Sequence, residues 1–240
     1  MTVSTGDSTL SIVHVYPTVL GLYGDRGNAL VLADRARRRG FAATVRSVDP
    51  GEAIPRDADL YLLGGGEDLA QTTATELLAA DGAIVTVMAR GAVVLAVCAG
   101  LQVLGTTFAA ARGQVPGLGL IDIETHPGHP RAVGEVVADP VELDLPTLTG
   151  YENHGGRTTL GPGVRPLGRV RHGVGNGAGD GTDGFVVGRT VGTYLHGPVL
   201  ARNPALADLL LQWATGSAMS PLDDPEVDAL RAERLASVAH

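Results

Sequence analysis

Cysteine is almost absent from this chain: Cys98 is the only one among 240 residues. One thiol cannot close an intramolecular disulfide, which excludes a disulfide-stapled scaffold and fits a reducing compartment. Aromatic residues make up only 4% of the sequence against 34 glycines, so the core is expected to rest on small and aliphatic side chains with many backbone turns. Basic residues are in deficit, 18 against 26 acidic ones, for a net charge of −8. Without a positive excess to neutralise phosphates, the balance argues against nucleic acid or an anionic membrane held by general electrostatics. No apolar run reaches the roughly 18 residues of a spanning helix, and no basic leader precedes an apolar stretch at the start. The expectation is a soluble cytoplasmic protein without membrane insertion. Internal repeats are lacking as well. The remaining composition, 44% hydrophobic and 18% charged, is that of an ordinary globular chain. It reads as a single domain over 1–240, with a core at about 10–215 and a helical tail at about 220–240.

Apolar periodicity orders the elements. Leu10 to Tyr16 reads as a strand, followed by turn residues from Pro17 to Asn28 and a helix from Ala29 to Arg39 that stops at Gly40. The basic cluster Arg35, Arg37-Arg38-Arg39 reads as the solvated end of that helix. Ala42 to Val48 and Leu60 to Leu63 are the next strands, the second running into Gly64-Gly65-Gly66. Helices from Glu67 to about Ala80 and from Gly82 to Arg90 lead to the strand Ala92 to Val97. This alternation predicts an α/β fold with a mostly parallel central sheet flanked by helices, its functional loops at the carboxyl ends of the strands. From Leu118 to Leu195 the pattern changes to short strands broken by Gly and Pro, such as Leu120 to Glu124, Phe185 to Val187 and Val191 to Leu195. Asn203 to Thr215 and Asp224 to Ala239 read as closing helices. The Gly-rich stretch from Gly173 to Gly181 reads as a flexible loop, without the Lys or strand-to-helix context of a phosphate cradle.

Cys98 falls where a buried strand stops and Ala99-Gly100-Leu101-Gln102 begins a helix. A lone cysteine is commonly a buried core residue, but this context is that of a nucleophile elbow. At a helix N-terminus, unpaired N–H groups and the dipole favour an anion, so the thiol pKa is expected to be lowered. A thiolate attacking a carbonyl needs a proton shuttle and an oxyanion hole. His196, at the end of Val191-Gly192-Thr193-Tyr194-Leu195, is the candidate shuttle; its alternative is an ordinary loop histidine. The N–H groups of Gly65 and Gly66, with that of Ala99, are candidate oxyanion donors, unless the glycines only make a tight turn. His126 and His129 stand in a proline-rich stretch that cannot align two rings as metal ligands, so no metal is assigned.

Five segments occur in order: Leu22-Tyr23-Gly24-Asp25-Arg26-Gly27-Asn28, Leu63-Gly64-Gly65-Gly66-Glu67-Asp68, Val97-Cys98-Ala99-Gly100-Leu101-Gln102, Gly150-Tyr151-Glu152-Asn153-His154-Gly155-Gly156-Arg157-Thr158 and Tyr194-Leu195-His196-Gly197-Pro198. Together, over roughly residues 10–215, they closely resemble class I glutamine amidotransferases of the CobB/CobQ type. More narrowly, they resemble the glutaminase subunits of lipid II isoglutaminyl synthases. The resemblance implies that Cys98 attacks the side-chain amide of L-glutamine to give a glutamyl thioester and ammonia, with His196 moving the protons. It implies Arg131 as the residue that holds the α-carboxylate of glutamine, and Gln102, Asn153 and His154 as further contacts. It also implies a heterodimer with a MurT-like Mur-ligase subunit, which amidates the D-glutamate α-carboxyl of the lipid II stem peptide. This chain has no Walker A motif and carries no cofactor of its own, so ATP and Mg are expected on that partner.

Two positions depart from the family pattern. Pro198 stands where many class I enzymes carry an acid two residues after the histidine, so the orienting carboxylate is expected from elsewhere in the chain, such as Glu152, or from the partner. Ala96 replaces a common Gly two residues before the cysteine, a change the elbow is expected to tolerate. Two other readings stay open: an elbow-cysteine hydrolase or stress protein that acts without a partner, and a non-catalytic regulatory subunit.

Overall fold

The computed structural model describes residues 9–21, 24–111 and 113–238. Its first half runs β1 (Leu10–Val15), α1 (Arg26–Arg37), β2 (Ala43–Val48), β3 (Leu60–Leu63), α2 (Asp68–Asp81), α3 (Ala83–Ala89), β4 (Val93–Val97), α4 (Ala99–Leu104). Its second half runs β5 (Thr107–Ala110), β6 (Gly113–Pro116), β7 (Ile123–Pro140), β8 (Leu148–Leu160), β9 (Gly168–His172), β10 (Thr182–Asp183), β11 (Phe185–Val187), β12 (Thr190–Thr193), α5 (Val199–Arg202), α6 (Pro204–Thr215) and α7 (Pro225–Ser237). Leu22 and Tyr23, part of the first family segment, lie outside the described residues. Among the described residues no helix is long and apolar enough to cross a membrane.

One sheet has the order β11-β12-β4-β3-β1-β2. Its strands are parallel from β12 to β2, and only β11 runs antiparallel. Every residue of β3 and β4 is buried, as their unbroken apolar runs require of strands covered on both faces. Helix α1 turns Ala29, Leu32, Ala33 and Ala36 inward, and α6 does the same with Leu206, Ala207, Leu210 and Leu211. This is the predicted α/β architecture. The carboxyl ends of β4 and β12 lie side by side, Val97 in register with Thr193, and there Cys98 and His196 emerge.

The second sheet departs from expectation. Where the sequence reads as short broken strands, β7 and β8 form a long antiparallel pair at the centre of β10-β9-β7-β5-β6, with β8 also bonded to β7. The Pro and Gly residues of His126-Pro127-Gly128-His129-Pro130 do not end the strand. They fall where the register slips, between Pro127 and Ala132, so the backbone passes the prolines as an irregularity and resumes pairing.

The arginine cluster is a solvated helix end only at Arg37 and Arg38, which are exposed; Arg35 and Arg39 turn inward. Arg35 is buried, and its Nε and Nη2 meet the Asp208 carboxylate at 2.7 Å each while Nη1 reaches Asp224 at 2.9 Å. Arg39 adds a bond to Asp208 at 2.8 Å and one to the Ser220 carbonyl at 2.7 Å. These partners tie the C-terminal segment to α1. None of the α7 residues is buried, so this helix is held by polar contacts: Arg231 donates to the carbonyls of Thr147 and Arg202 and to Asn203 Oδ1, and Arg234 faces Glu135. Because Asp208 is shared by two inward-turned arginines, Asp208→Ala is expected to cost about 2–4 kcal/mol, measured as a fall in the urea midpoint. Asp34→Ala, whose carboxylate is 65% exposed and meets Arg38 at 3.8 Å, should change stability by less than about 0.5 kcal/mol.

Candidate active site

The turn at Cys98 is built by three strands. Its N–H donates to the carbonyl of Thr193, the last residue of β12, at 2.9 Å, and its backbone stands at φ 54° and ψ −107°. Positive φ is uncommon for a residue with a side chain and is kept only where neighbours enforce it. Gly100 shows one such neighbour: its N–H donates to the Gly64 carbonyl at 3.0 Å, and a Cβ on it would lie 2.5 Å from the Leu63 carbonyl oxygen. Only glycine lets α4 approach the end of β3 this closely.

The thiol does not behave as its helix-terminal position suggests. Burial pushes the Cys98 pKa up to about 12; a hydrogen bond from the Ala99 N–H and the charge of Arg131 pull it down, while Asp25 and Glu67 push it further up. Helix α4 is only six residues long, and desolvation outweighs what its terminus offers. The sequence expectation of a lowered pKa is therefore corrected: with no substrate bound, the proton stays on sulfur.

His196 is buried, and its backbone N–H and Nδ1 both meet the Tyr151 carbonyl, at 2.8 and 3.0 Å. A carbonyl oxygen only accepts, so Nδ1 carries the proton and Nε2 is the basic nitrogen. Burial pushes the His196 pKa down to about 4. The imidazole is thus neutral at physiological pH, the state a general base needs. Pro198, in the expected acid position, packs against α1, where a Cβ on Gly27 would lie 2.3 Å from its Cγ.

A cavity of about 320 Å³ opens at Cys98, lined among others by Gly66, Gln102, Arg131 and Asn153. Arg131 is aimed by Asn153, donating from Nε to the side-chain oxygen at 2.7 Å and from Nη2 to the carbonyl at 3.0 Å. Gln102 accepts from Gln71 Nε2 at 2.8 Å and donates to the Tyr194 hydroxyl at 2.9 Å. His154 is not among the lining residues: it stacks on Tyr194 with ring centroids 3.8 Å apart and meets the Gly156 carbonyl at 3.0 Å and Glu152 at 3.4 Å. Of the proposed oxyanion donors, the Gly65 N–H is taken by the Asp25 carboxylate at 2.9 Å, and the Ala99 N–H points at the sulfur. Gly66 lines the cavity and stands beside Ala99, to whose Cβ a Cβ on Gly66 would be 3.8 Å away. Sequence reasoning singled out neither Asp25, Glu67, Gln71 nor Tyr194. Three of these sit inside quoted segments, but nothing in a segment tells which side chains line the cavity and which brace it from behind.

With this geometry in view, comparison with known proteins is decisive. Residues 11–204 match the model of the CobB/CobQ-like glutamine amidotransferase domain. The chain belongs to that family. It is 35% identical over 223 residues to the lipid II isoglutaminyl synthase (glutamine-hydrolyzing) subunit GatD of Staphylococcus aureus (strain N315), covering 91% of this chain and 90% of that one. The GatD subunit of Streptococcus pneumoniae (strain ATCC BAA-255 / R6) is also 35% identical, over 85% of this chain and 80% of its own. Cobyric acid synthase of Brucella abortus (strain S19) is 38% identical over 169 residues, but these make up only 32% of that protein. A solved glutamine amidotransferase shares the fold, with a TM-score of 0.56, 21% identity and coverage of 85% of this chain and 98% of that one.

The carboxylate put forward from the sequence as the orienter of His196 is otherwise engaged. Glu152 accepts from the N–H groups of Val174 and Gly175 at 2.7 and 2.8 Å and faces His154. The Gly-rich stretch is accordingly a tied loop and not a loose one: Asn176 within it is fully buried and bonds Thr182 and Gly184. Nδ1 of His196 is bonded to a carbonyl where a carboxylate is usual, and the charge of Glu152 reaches the ring only through space. In the isolated chain, alkylation of Cys98 by iodoacetamide is expected to rise about tenfold per pH unit from pH 7 to 10 without levelling off, since the thiolate fraction grows throughout that range. Mass spectrometry of the modified protein checks this, and a plateau near pH 7 would contradict it.

Proposed function

We propose that this chain is the glutamine-hydrolysing subunit of a cytoplasmic lipid II isoglutaminyl synthase. In this reading it passes ammonia to a MurT-like ATP-dependent ligase that amidates the D-glutamate α-carboxyl of the lipid II stem peptide. The observation that carries the glutaminase part is the shared cavity of Cys98 and Arg131 at the carboxyl ends of the parallel strands. The acceptor and partner rest on similarity to the two GatD subunits over most of the chain.

The chemistry follows from the placement of the groups. Arg131 pairs with the α-carboxylate of L-glutamine and fixes the side-chain amide over the sulfur. His196 Nε2 accepts the thiol proton as Cys98 attacks the amide carbon, and the oxyanion forms beside the N–H groups of Gly66 and Ala99. Ammonia leaves with a proton from His196, and the glutamyl thioester is hydrolysed by water activated by the same imidazole. Each transfer passes through an imidazolium that Tyr151 cannot neutralise. A carboxylate supplied by the partner near His196 would stabilise it, which suits a glutaminase that idles when alone. ATP and Mg act on the ligase subunit, and direct hand-over keeps ammonia away from bulk water, where it would be protonated.

The test is glutamate release from L-glutamine by the chain alone and with its co-purified ligase partner, each beside Cys98→Ala. The expected result is release that rises at least about tenfold with the partner and disappears in Cys98→Ala. Silence in both wild-type samples overturns the proposal.

A further inference from the structure

Asp183 is fully buried and takes no part in the proton transfers at Cys98. It ends β10 in the second sheet, in register with Gly168 of β9, but its carboxylate is spent on the first sheet. Oδ2 accepts from the Thr193 hydroxyl at 2.6 Å, and Oδ1 accepts from the Tyr194 N–H at 3.2 Å. Gly184, the next residue, allows this close crossing: at φ 59° it stands where a Cβ would lie 2.1 Å from the Gly192 carbonyl oxygen. The Thr193 hydroxyl accepts in turn from the Leu195 N–H at 3.0 Å. Two donors therefore converge on one carboxyl group, an arrangement that an ionised carboxylate satisfies at both oxygens, and the shorter contact has the length of a hydroxyl bonded to an anion.

These donors stand at the junction of the reacting pair. The Thr193 carbonyl holds the Cys98 N–H at 2.9 Å, and three residues further on the His196 N–H meets the Tyr151 carbonyl. Between Thr193 and His196, Asp183 thus holds the first two donors directly and the Leu195 N–H through the Thr193 hydroxyl. We propose that Asp183 positions both Cys98 and His196, its carboxylate fixing the one strand end that anchors the thiol turn and delivers the imidazole. This rests on the glutaminase reading and adds to it a positioning residue that acts on the reaction only through others. The same burial makes the device sensitive to pH. Burial pushes the Asp183 pKa up to about 6, against the bonds from Thr193 and Tyr194; from β8, His154 pulls it down through space and Glu152 pushes it up. The carboxylate is therefore ionised at neutral pH and gains a proton near pH 6. Once protonated it presents a donor where two donors already point, so one of the two bonds is lost or reversed. His196, held down to about 4, gains its proton only in more acid solution.

The experiment measures glutamate release from L-glutamine by the chain with its co-purified ligase partner, from about pH 5 to about pH 8. Wild type is compared with Asp183→Asn, Thr193→Val and Thr193→Ser, each checked first by its melting curve and assayed where it is folded. In wild type, kcat should fall on the acid side with a midpoint near 6. In Asp183→Asn, kcat at neutral pH should be lower by about tenfold or more, KM should change by less than about threefold, and the acid limb near 6 should be gone. Thr193→Val should lose kcat in the same way, Thr193→Ser should keep most of it, and the double variant Asp183→Asn with Thr193→Val should be no slower than the slower single one. A wild-type kcat retained in Asp183→Asn, or an acid limb near 6 that is absent from wild type or survives in Asp183→Asn, overturns the inference while leaving the glutaminase reading intact. If Asp183→Asn does not fold, the threonine pair decides, and equal kcat in Thr193→Val and Thr193→Ser overturns it. A wild-type complex that releases no glutamate at any pH removes the glutaminase reading and this inference together.

Discussion

The positive-φ backbone of Cys98, at φ 54° and ψ −107°, is the constraint on which the rest of the site depends. Such a conformation costs about 1–3 kcal/mol for a residue with a Cβ, and the fold opposes that cost from several sides. The Cys98 N–H is held by Thr193, its carbonyl by the N–H of Gln102 at 3.1 Å, and the next turn by Gly64 through Gly100. The first and last of those bonds cross from the end of β4 to its parallel neighbours β12 and β3. The same tight turn that exposes the sulfur to the cavity therefore brings up the two loops it needs, the Gly64-Gly65-Gly66 turn after β3 and the His196 loop after β12. A sheet with β4 elsewhere in its order would lose all three at once.

Held this way, the nucleophile is dry, and dryness sets its chemistry. Burial raises the thiol and lowers the imidazole, so the resting pair is neutral on both sides. In the proposed mechanism, proton transfer between them creates two charges where burial penalises each. The nearby charges divide: Arg131 favours the thiolate, while Asp25 and Glu67 oppose it. Asp25 cannot be dispensed with on that ground, because its carboxylate holds the Gly65 N–H and so shapes the turn beside the sulfur. The site thus combines a carboxylate that positions the glycine turn with charges that hold the thiol proton in place.

What could be read from the sequence follows the range of the interactions. The parallel half was legible because each of its elements is a local pattern: Leu60–Leu63 is an uninterrupted apolar strand, and α2, α3 and α6 carry helical spacing within one or two residues of their ends. Cys98 and His196 were legible as residues at strand ends for the same reason. The paired strands β7 and β8 were hidden by prolines and glycines that locally argue for breaks and are absorbed by a register slip. Arg35 looked solvated because its partners, Asp208 and Asp224, are remote in sequence. Glu152 was a candidate orienter of His196 because the N–H groups that claim it come from a loop whose composition suggests looseness. The direction of the thiol shift was misjudged since a helix terminus can be read from order alone, whereas desolvation cannot.

The segment Asn153-His154-Gly155-Gly156 gains its physical sense from a polar seam behind the cavity. Gln71 donates to Gln102 and Gln102 to Tyr194, whose hydroxyl, having accepted, can donate to Thr158 at 2.7 Å, and Thr158 to Thr125 at 2.8 Å. The chain of bonds starts on α2 and ends on β7, so it joins the helices of the parallel sheet to the second sheet. Every member is buried, and a buried network is stable only when each donor has its acceptor. Gly156 is where the seam passes closest to the β8 backbone: a Cβ there would lie 2.5 Å from Gln102 Nε2 and 2.7 Å from Thr125 Cγ2. His154 covers the Tyr194 ring, while Asn153, one residue before it, faces the cavity and aims Arg131. One short stretch of strand therefore orients Arg131 with one residue, braces the seam with the next, and leaves room for the seam with a glycine. The cavity keeps its shape because the wall that holds Arg131 and the helix that holds Cys98 are bonded through a continuous line of side chains.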